Sequence, residues 1–293
     1  MSRVERPVAH VMPDGRLRLT HGPIDLIVSA EGDRIEAAYR RAETAFGPVL
    51  STLAAELPRL RSAEGPEPDG LIARQMVAVV GRFGPVFVTP MAAVAGAVAD
   101  HVLRAILVPG HGLTSLHVNN GGDIALWTSG PVLRVAVCDD PVTGTLGARA
   151  AIGPGDSIGG VATSGWRGRS HSLGIADAVT VLAETAALAD AAATLIANAV
   201  DLPGHPGVTR VPAHHLSPDS DLGTRLVTTN VARLPPAKVA EALSRGQVVA
   251  QDYVEKGLIR AAYLSCQGAR RMVGGQSVAD EGSAGTQREL NHA

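Results

Sequence analysis

The chain has 293 residues, of which 45% are hydrophobic, and its 26 basic and 28 acidic residues give a net charge of −2. This length suits one large domain with a sizeable core, and the near-neutral charge with only 3% aromatic residues argues against a nucleic-acid partner. The two cysteines, Cys138 and Cys266, lie far apart and form no CxxC pair, which argues against a disulfide framework or a zinc site.

The N-terminal stretch MSRVERPVAHVMPDG lacks the apolar core of a signal peptide. No run of about 18 apolar residues occurs anywhere in the sequence. We therefore expect a soluble, cytoplasmic protein with no membrane partner.

The first part of the chain begins with strands and continues with a helix. Residues 16–29 are typical of two short strands around a His-Gly-Pro turn. From Asp33, apolar residues recur every three or four positions, which predicts a helix that Pro48 kinks or divides. The composition of 61–70, RSAEGPEPDG, indicates a solvent-exposed linker.

The rest of the chain is predicted to contain several strands and a few long helices. A second helix begins at Thr89-Pro90, with the threonine as N-cap and the proline in the first turn. A third helix covers about 185–200, and two helices follow Pro235-Pro236. Strands are expected around 115–119, 123–127, 132–138, 158–162, 178–183 and 224–231.

These elements predict an α+β fold of antiparallel sheets with a few long packed helices. Residues 1–270 form a single domain in this interpretation, and residues 271–293 form a disordered tail because they are polar and rich in glycine. The sequence has neither a GxGxxG after a strand nor a GxxxxGK[ST], so neither common phosphate loop is present.

The segment VNNGGDIAL, residues 118–126, places two amides, two glycines and an acid inside an otherwise apolar strand pattern. Gly121 and Gly122 tolerate positive φ and permit close approach to the backbone. They therefore fit a hairpin turn, a bulge or a strand edge that contacts a ligand. The flanking amides and Asp123 supply hydrogen-bonding groups that fit any of these.

A second polar segment, GGVATSGWRGRSHS at 159–172, concentrates hydroxyls, two guanidiniums and an imidazole. Arginine and hydroxyl donors among glycines would suit a diphosphate-bearing ligand, and the alternative is a polar loop with solvated arginines. The side chains concerned are Thr163, Ser164, Arg167, Arg169, Ser170 and His171.

The helix ETAALADAAATLIANAV, residues 184–200, is apolar nearly all round and should be buried. Asp190, Thr194 and Asn198 nevertheless form one polar stripe at i, i+4 and i+8. A buried carboxylate must be paired, or must bind a cation or cap a neighbouring segment. Asp190 with Thr194 offers two hard oxygens of the kind that Mg²⁺ prefers.

Taken together, the three segments resemble the ApbE-like superfamily, the magnesium-dependent FAD:protein FMN transferases. The likeness spans roughly residues 20–200 and is greatest to an uncharacterised cytosolic branch. It rests on motifs in the family's order, namely GAVAD (96–100), NNGGDI (119–124), ATSG (162–165) with SH (170–171), and ADAAAT (189–194).

The resemblance implies FAD or FMN bound between the sheets of an ApbE-like α+β fold. It implies Mg²⁺ held by Asp190, by Thr194 and by a backbone carbonyl near Ala193, with His171 as a candidate catalytic base. The implied cofactor-binding residues are Asn119, Asn120, Gly121, Gly122, Asp123, Thr163, Ser164, Gly165, Arg167 and Arg169.

Three departures from the family pattern concern the reaction more than the fold. Ala95 stands where the family has a lysine, the loop after the histidine is shortened to HSLG, and the usual export signal is absent. The implied function is Mg²⁺-dependent transfer of FMN from FAD to a hydroxyl of an acceptor flavoprotein, or cleavage of FAD. The alternative is a non-catalytic flavin-binding module or the flavin subunit of a reductase; a homo-oligomer is compatible with either.

Overall fold

The computed structural model describes residues 6–275 and the backbone of 278–280. Its helices are α1 (Ile35–Phe46), α2 (Val49–Ala55), α3 (Leu57–Leu60), α4 (Leu71–Val80), α5 (Val94–Ile106), α6 (Ala186–Ala199), α7 (Ala213–Leu216) and α8 (Pro236–Glu255). Its strands are β1 (Val8–Val11), β2 (Leu17–His21), β3 (Ile24–Gly32), β4 (Leu113–Asn120), β5 (Asp123–Thr128), β6 (Leu133–Asp140), β7 (Thr145–Ile152), β8 (Gly160–Ser164), β9 (Ala178–Ala183), β10 (Val208–Pro212), β11 (Leu226–Val231), β12 (Ala261–Cys266), β13 (Ala269–Gly274) and β14 (Val278–Asp280).

A nine-stranded antiparallel sheet forms the centre of the fold, in the order β1-β2-β3-β4-β5-β8-β9-β12-β13. The helices α1, α5, α6 and α8 pack on one face of this sheet. A small sheet, β14-β7-β6, covers part of the opposite face, and β10 and β11 pair separately. The predicted α+β class of antiparallel sheets with a few long packed helices is therefore confirmed.

Alternation along the central strands explains why both faces of the sheet are covered. In β12, Ala262 and Leu264 point into the core under the helices, whereas Ala261 and Tyr263 point into the second core beneath the small sheet. β9 follows the same rule, with Val181 on the helix side and its neighbour Leu182 on the other. Such strands are buried at every position and almost entirely apolar, which makes them resemble buried helices in sequence.

Several predicted elements are confirmed. Residues 17–32 form the β2–β3 hairpin, and the helix that begins after Asp33 ends at Phe46. Pro48 separates it from α2, as expected for a residue that cannot donate a backbone hydrogen bond. The predicted helix at 185–200 is α6, and its side chains are buried almost all round.

Other predictions are wrong in ways that have physical reasons. α4 and β7 were not foreseen. One 20-residue helix, α8, follows Pro235 where two had been expected, and the next element is the doubly buried strand β12. β13 extends to Gly274 and 278–280 add a strand to β7, so the expected tail boundary at residue 271 is too early. Residues 281–293 lie outside the described residues.

No helix in the described ranges has the length and apolar character needed to cross a membrane.

Candidate functional site

The N-terminal ends of α5 and α6 meet and exchange hydrogen bonds. The Asp100 carboxylate of α5 accepts from the backbone N–H groups of Ala186 and Ala187, each at 3.0 Å. In return, Asp190 of α6 accepts from the backbone N–H of Gly96 at 3.0 Å. A Cβ on Gly96 would overlap the Ala186 carbonyl, so only glycine fits this contact. Each helix thus supplies the acid that satisfies the first turn of the other.

This arrangement bears directly on the two interpretations of Asp190. One of its oxygens has the capping role that the sequence left open as an alternative to metal binding. Asp190 also lines a cavity of about 430 Å³, together with Thr194 and Asn198 of the same helix face. The predicted polar stripe of α6 is therefore one wall of a cavity.

The cavity brings together predicted residues from all three sequence segments. Asp123 from the start of β5 lines it, and so do Arg169 and His171 from the loop that follows β8. His171 is half-buried and Arg169 is exposed. Much of the remaining wall is apolar and includes Phe87, Val88, Met91, Leu195 and Leu222.

Two acidic side chains in this first cavity have pKa values above those of ordinary carboxyl groups. Burial raises the pKa of Asp190 well above its ordinary value, and the nearby charge of Asp123 raises it further. Burial also raises the pKa of Asp123 to about 7, although the backbone N–H of Thr163 donates to it at 3.3 Å. A cation bound between these carboxylates would favour the ionised form of both.

The glycine pair of VNNGGDIAL forms a tight hairpin turn between β4 and β5. Asn120 pairs with Asp123, and the two residues between them, Gly121 and Gly122, have φ of +66° and +115°. The side-chain oxygen of Asn119 accepts from the N–H of Gly122 at 2.8 Å. Of the alternatives that the sequence left open, the hairpin turn is therefore correct for the backbone.

The same turn borders a second cavity of about 670 Å³ between the central sheet and β6. A Cβ on Gly121 would overlap the Arg169 guanidinium, whereas nothing lies within 4 Å of a Cβ on Gly122. Apolar side chains of both sheets, such as Leu126 and Val135, contribute to the wall. The predicted cofactor residues that line this cavity are Asn119, Gly121, Gly122, Thr163, Ser164, Gly165 and Arg169.

Arg169 lines both cavities, so its guanidinium lies where they adjoin. Its neighbour Arg167 does not belong to either wall. Arg167 instead donates to Asp177 at 2.8 Å and lies 3.7 Å from Asp140. Asp177 also accepts from the indole N–H of Trp166 at 3.2 Å. The predicted phosphate contact of Arg167 is thus replaced by an ion pair that fixes the loop.

Two further predicted residues have positions that differ from expectation. Asn120 is buried, and its side-chain amide donates to the Ala95 carbonyl at 3.1 Å, which pins α5 to β4 and leaves Asn120 off both cavity walls. Ala193 is buried in α6 and also lies off both walls.

The sequence did not identify the segment that closes the outer side of the first cavity. The loop after α7 contributes Ser217, Asp219, Ser220 and Asp221, and the Thr89 hydroxyl donates to Asp221. The sequence had predicted Thr89 as the N-cap of the following helix, but its side chain makes no capping hydrogen bond. A short 3₁₀ turn, Pro90–Ala93, precedes α5. The acidic run SPDSD resembles a solvated loop, and only the tertiary contact reveals its position.

Comparison with known proteins gives one match over most of the chain and several partial ones. The family model described as "AbpE bacteria" matches residues 9–272. A UPF0280 protein of Methanopyrus kandleri is 41% identical over 143 residues, which are 47% of this chain and 52% of the relative. A UPF0280 protein of Methanocaldococcus jannaschii is 39% identical over 127 residues, which are 43% and 49% of the two chains. The chain thus spans about half the length of the curated relatives it matches.

Solved structures with a related chain path include the apo form of the flavinyl transferase ApbE of Pseudomonas stutzeri. It matches with a TM-score of 0.45 and 12% identity, over 94% of this chain and 97% of that chain. The flavin transferase ApbE of Vibrio cholerae matches with a TM-score of 0.43 and 13% identity, over 93% and 98%. A likeness at this level carries no argument about chemistry. The family match over residues 9–272 does establish kinship, and it confirms the resemblance of the motifs: this chain belongs to the family described as "AbpE bacteria", within the ApbE-like superfamily.

Proposed function

We propose that this chain binds a flavin dinucleotide across the two adjoining cavities and, with a divalent cation at Asp190, transfers FMN from FAD to a protein hydroxyl or to water. The observation that carries the proposal is the junction of the cavities at Arg169. The second cavity has the apolar walls that an aromatic ring system requires. The guanidinium at the junction suits a diphosphate, and the acids of the first cavity suit a cation.

The donor set in the first cavity fits Mg²⁺. The carboxylates of Asp190 and Asp123 and the hydroxyl of Thr194 offer hard oxygen ligands to the same cavity, from β5 and α6. Among residues 6–275, no three His, Cys, Asp or Glu side chains group closely enough to hold a metal by themselves. Mg²⁺ typically completes such a partial set with substrate phosphates and water. The Ala193 carbonyl, implied by the resemblance, stays a prediction.

Each cavity residue has a defined task in this proposal. The cation would polarise the diphosphate and offset part of its charge. Arg169 would pair with phosphate oxygens, and His171 would accept the proton of the attacking hydroxyl. The hydroxyl oxygen bonds to the phosphorus of the FMN half, the bridging P–O bond breaks, and AMP leaves with the bonding electron pair. With water as the acceptor, the products are FMN and AMP.

A second candidate is a flavin-binding module without turnover, such as a flavin carrier or the flavin subunit of a reductase. The shortened loop HSLG, residues 171–174, favours it, because the family residues that shape the transfer site are missing there. Both candidates predict FAD binding in the cytoplasm, and they differ in whether AMP is released.

The test is incubation of purified protein with FAD, with and without Mg²⁺. Bound flavin is followed by its visible spectrum before and after denaturation, and FMN and AMP are separated by chromatography. We expect Mg²⁺-dependent AMP release that Asp190→Asn and His171→Ala abolish. Asp252→Asn removes a comparable charge from the exposed face of α8 and serves as the matched control. Stable, unprocessed FAD would support the binding module, and absence of flavin binding under every condition would refute both candidates.

A further inference from the structure

The short loop that carries His171 is tied down on two sides. The Ser172 carbonyl accepts from the backbone N–H of Thr228 on β11 at 2.8 Å. The backbone N–H of Ile175 donates to the carbonyl of Val200, just after α6, at 2.8 Å. Because these bonds join the loop to two separate elements, its backbone follows the positions of β11 and α6.

Gly174 makes the contact with α6 especially close. A Cβ at this position would overlap the Ala197 carbonyl and would lie 2.8 Å from the Val200 carbonyl. The loop backbone therefore lies directly on the last turn of α6. A loop this short and this closely packed has little room to adopt another path.

Asn198 makes the side-chain link between this loop and the cavity. Its Oδ1 accepts from the backbone N–H of Leu173 at 2.9 Å and from the hydroxyl of Ser172 at 3.2 Å. Ser172 is only 3% exposed, so these bonds are shielded from water. Asn198 also lines the first cavity, one turn beyond Thr194.

We infer that Asn198 is a positioning residue that holds the His171 imidazole in fixed register with Asp190 and Thr194. The three α6 side chains lie on one helix face at intervals of four residues, which is about 6 Å per step. The helix thereby sets the spacing between the proposed cation ligands and the proposed base. The inference rests on the proposed function for its catalytic meaning, although the anchoring itself is independent of any ligand.

The test compares Asn198→Ala with Asn198→Asp, which keeps the accepting oxygen. In apo protein, the Leu173 amide should exchange its hydrogen about fivefold faster or more in Asn198→Ala, since one shielded hydrogen bond is lost. With FAD and Mg²⁺, kcat should fall by roughly tenfold to a hundredfold while KM stays within about threefold. Asn198→Asp should restore the exchange rate of the Leu173 amide to near the wild-type value, and kcat is compared for the alanine variant alone because the aspartate adds a charge to the cavity of Asp190. Asn230→Ala, at an exposed amide on β11, is the matched control.

Three outcomes would overturn the inference. The first is wild-type exchange at Leu173 in a folded Asn198→Ala variant. The second is a folded Asn198→Asp variant in which the Leu173 amide exchanges as fast as in the alanine variant. If Asn198→Ala does not fold, Ser172→Ala removes the bond that the hydroxyl donates to Asn198 and the one that it accepts from the Gly174 N–H. An unchanged exchange rate of the loop in that variant is the third. If the wild-type protein neither binds nor processes FAD, the proposed function fails, whereas amide exchange in apo protein still decides the anchoring.

Discussion

Replacement of Asp123 by asparagine isolates the cost of a half-buried carboxylate in the first cavity. Asp123 accepts from the backbone N–H of Thr163 through Oδ1 and faces the charge of Asp190. Asparagine keeps the accepting oxygen and nearly the same volume while it removes the charge. Any change in stability should therefore reflect ionisation more than packing.

The magnitude follows from the pKa of the Asp123 carboxyl, which burial raises from 3.8 to about 7. Between these pH values the folded protein holds a proton that the unfolded chain has lost, so the free energy of unfolding falls as the pH rises. Each tenfold difference in acid dissociation is worth about 1.4 kcal/mol, so the whole difference is at most ~4 kcal/mol above pH 7. Solvent in the cavity reduces it, because Asp123 is only half-buried. The Asp123→Asn variant has no carboxyl at this position, so its free energy of unfolding does not fall with pH for this reason. Its melting temperature at pH 8 should exceed that of the wild type by up to roughly 8 to 16 °C.

The assay is thermal melting of metal-free protein at pH 4, 6 and 8, repeated with Mg²⁺. The gap between variant and wild type should be smallest at pH 4 and should widen with pH. Mg²⁺ should narrow the gap at pH 8, because a cation that binds the ionised wild-type pair stabilises the folded state. A variant that melts below the wild type at pH 8, or a gap that is independent of pH, would refute the reasoning.

Three further substitutions test single contacts. Asp190→Asn keeps the acceptor for the Gly96 N–H, so the stability of the metal-free protein should not fall. The rise in melting temperature that Mg²⁺ induces should disappear. If the metal-free variant loses more than about 1 kcal/mol of stability, the charge itself is structural. Gly122→Val places a branched side chain at φ +115° and should cost about 1–3 kcal/mol. An FAD titration of the folded Gly122→Val protein then tests whether a ligand contacts this turn. Unchanged affinity for FAD would show that no ligand lies against it. Arg167→Met should cost about 1–2 kcal/mol by leaving the Asp177 carboxylate without its guanidinium, with FAD affinity unchanged; weakened binding without a loss of stability would restore a phosphate role.

Elements with a clear local signal were predictable from the sequence, and burial on both faces did not by itself prevent this, since a strand was expected at 178–183 and β9 is found there. The periodicity of α1 and the break at Pro48 follow from local chemistry, and so does α6 with its polar stripe. β12 has apolar residues on both faces because helices cover one side and the small sheet covers the other. Periodicity does not distinguish such a strand from a buried helix, and β12 was not predicted.

The motifs identified which residues gather at the site but not which of them face the cavities. Asn120 and Arg167 lie in the expected segments, yet their partners are Ala95 and Asp177. These partners lie 25 and 10 residues away in sequence, so motif spacing cannot reveal them. Asn198 is a different case. The sequence placed it in the polar stripe of α6, but its contact with the histidine loop could not be predicted because that contact depends on the tertiary fold.

The exchange of hydrogen bonds between the first turns of α5 and α6 has a consequence for how the site forms during folding. Its contacts join residues 86 to 94 positions apart, and strands β4 to β9 lie between the two helices in sequence. The entropy of closing so large a loop must be overcome before either acid reaches its partner. We therefore expect the cavity to form late in folding, after the central strands have paired. Substitutions at Gly96 or Asp100 should then mainly accelerate unfolding and leave the folding rate nearly unchanged.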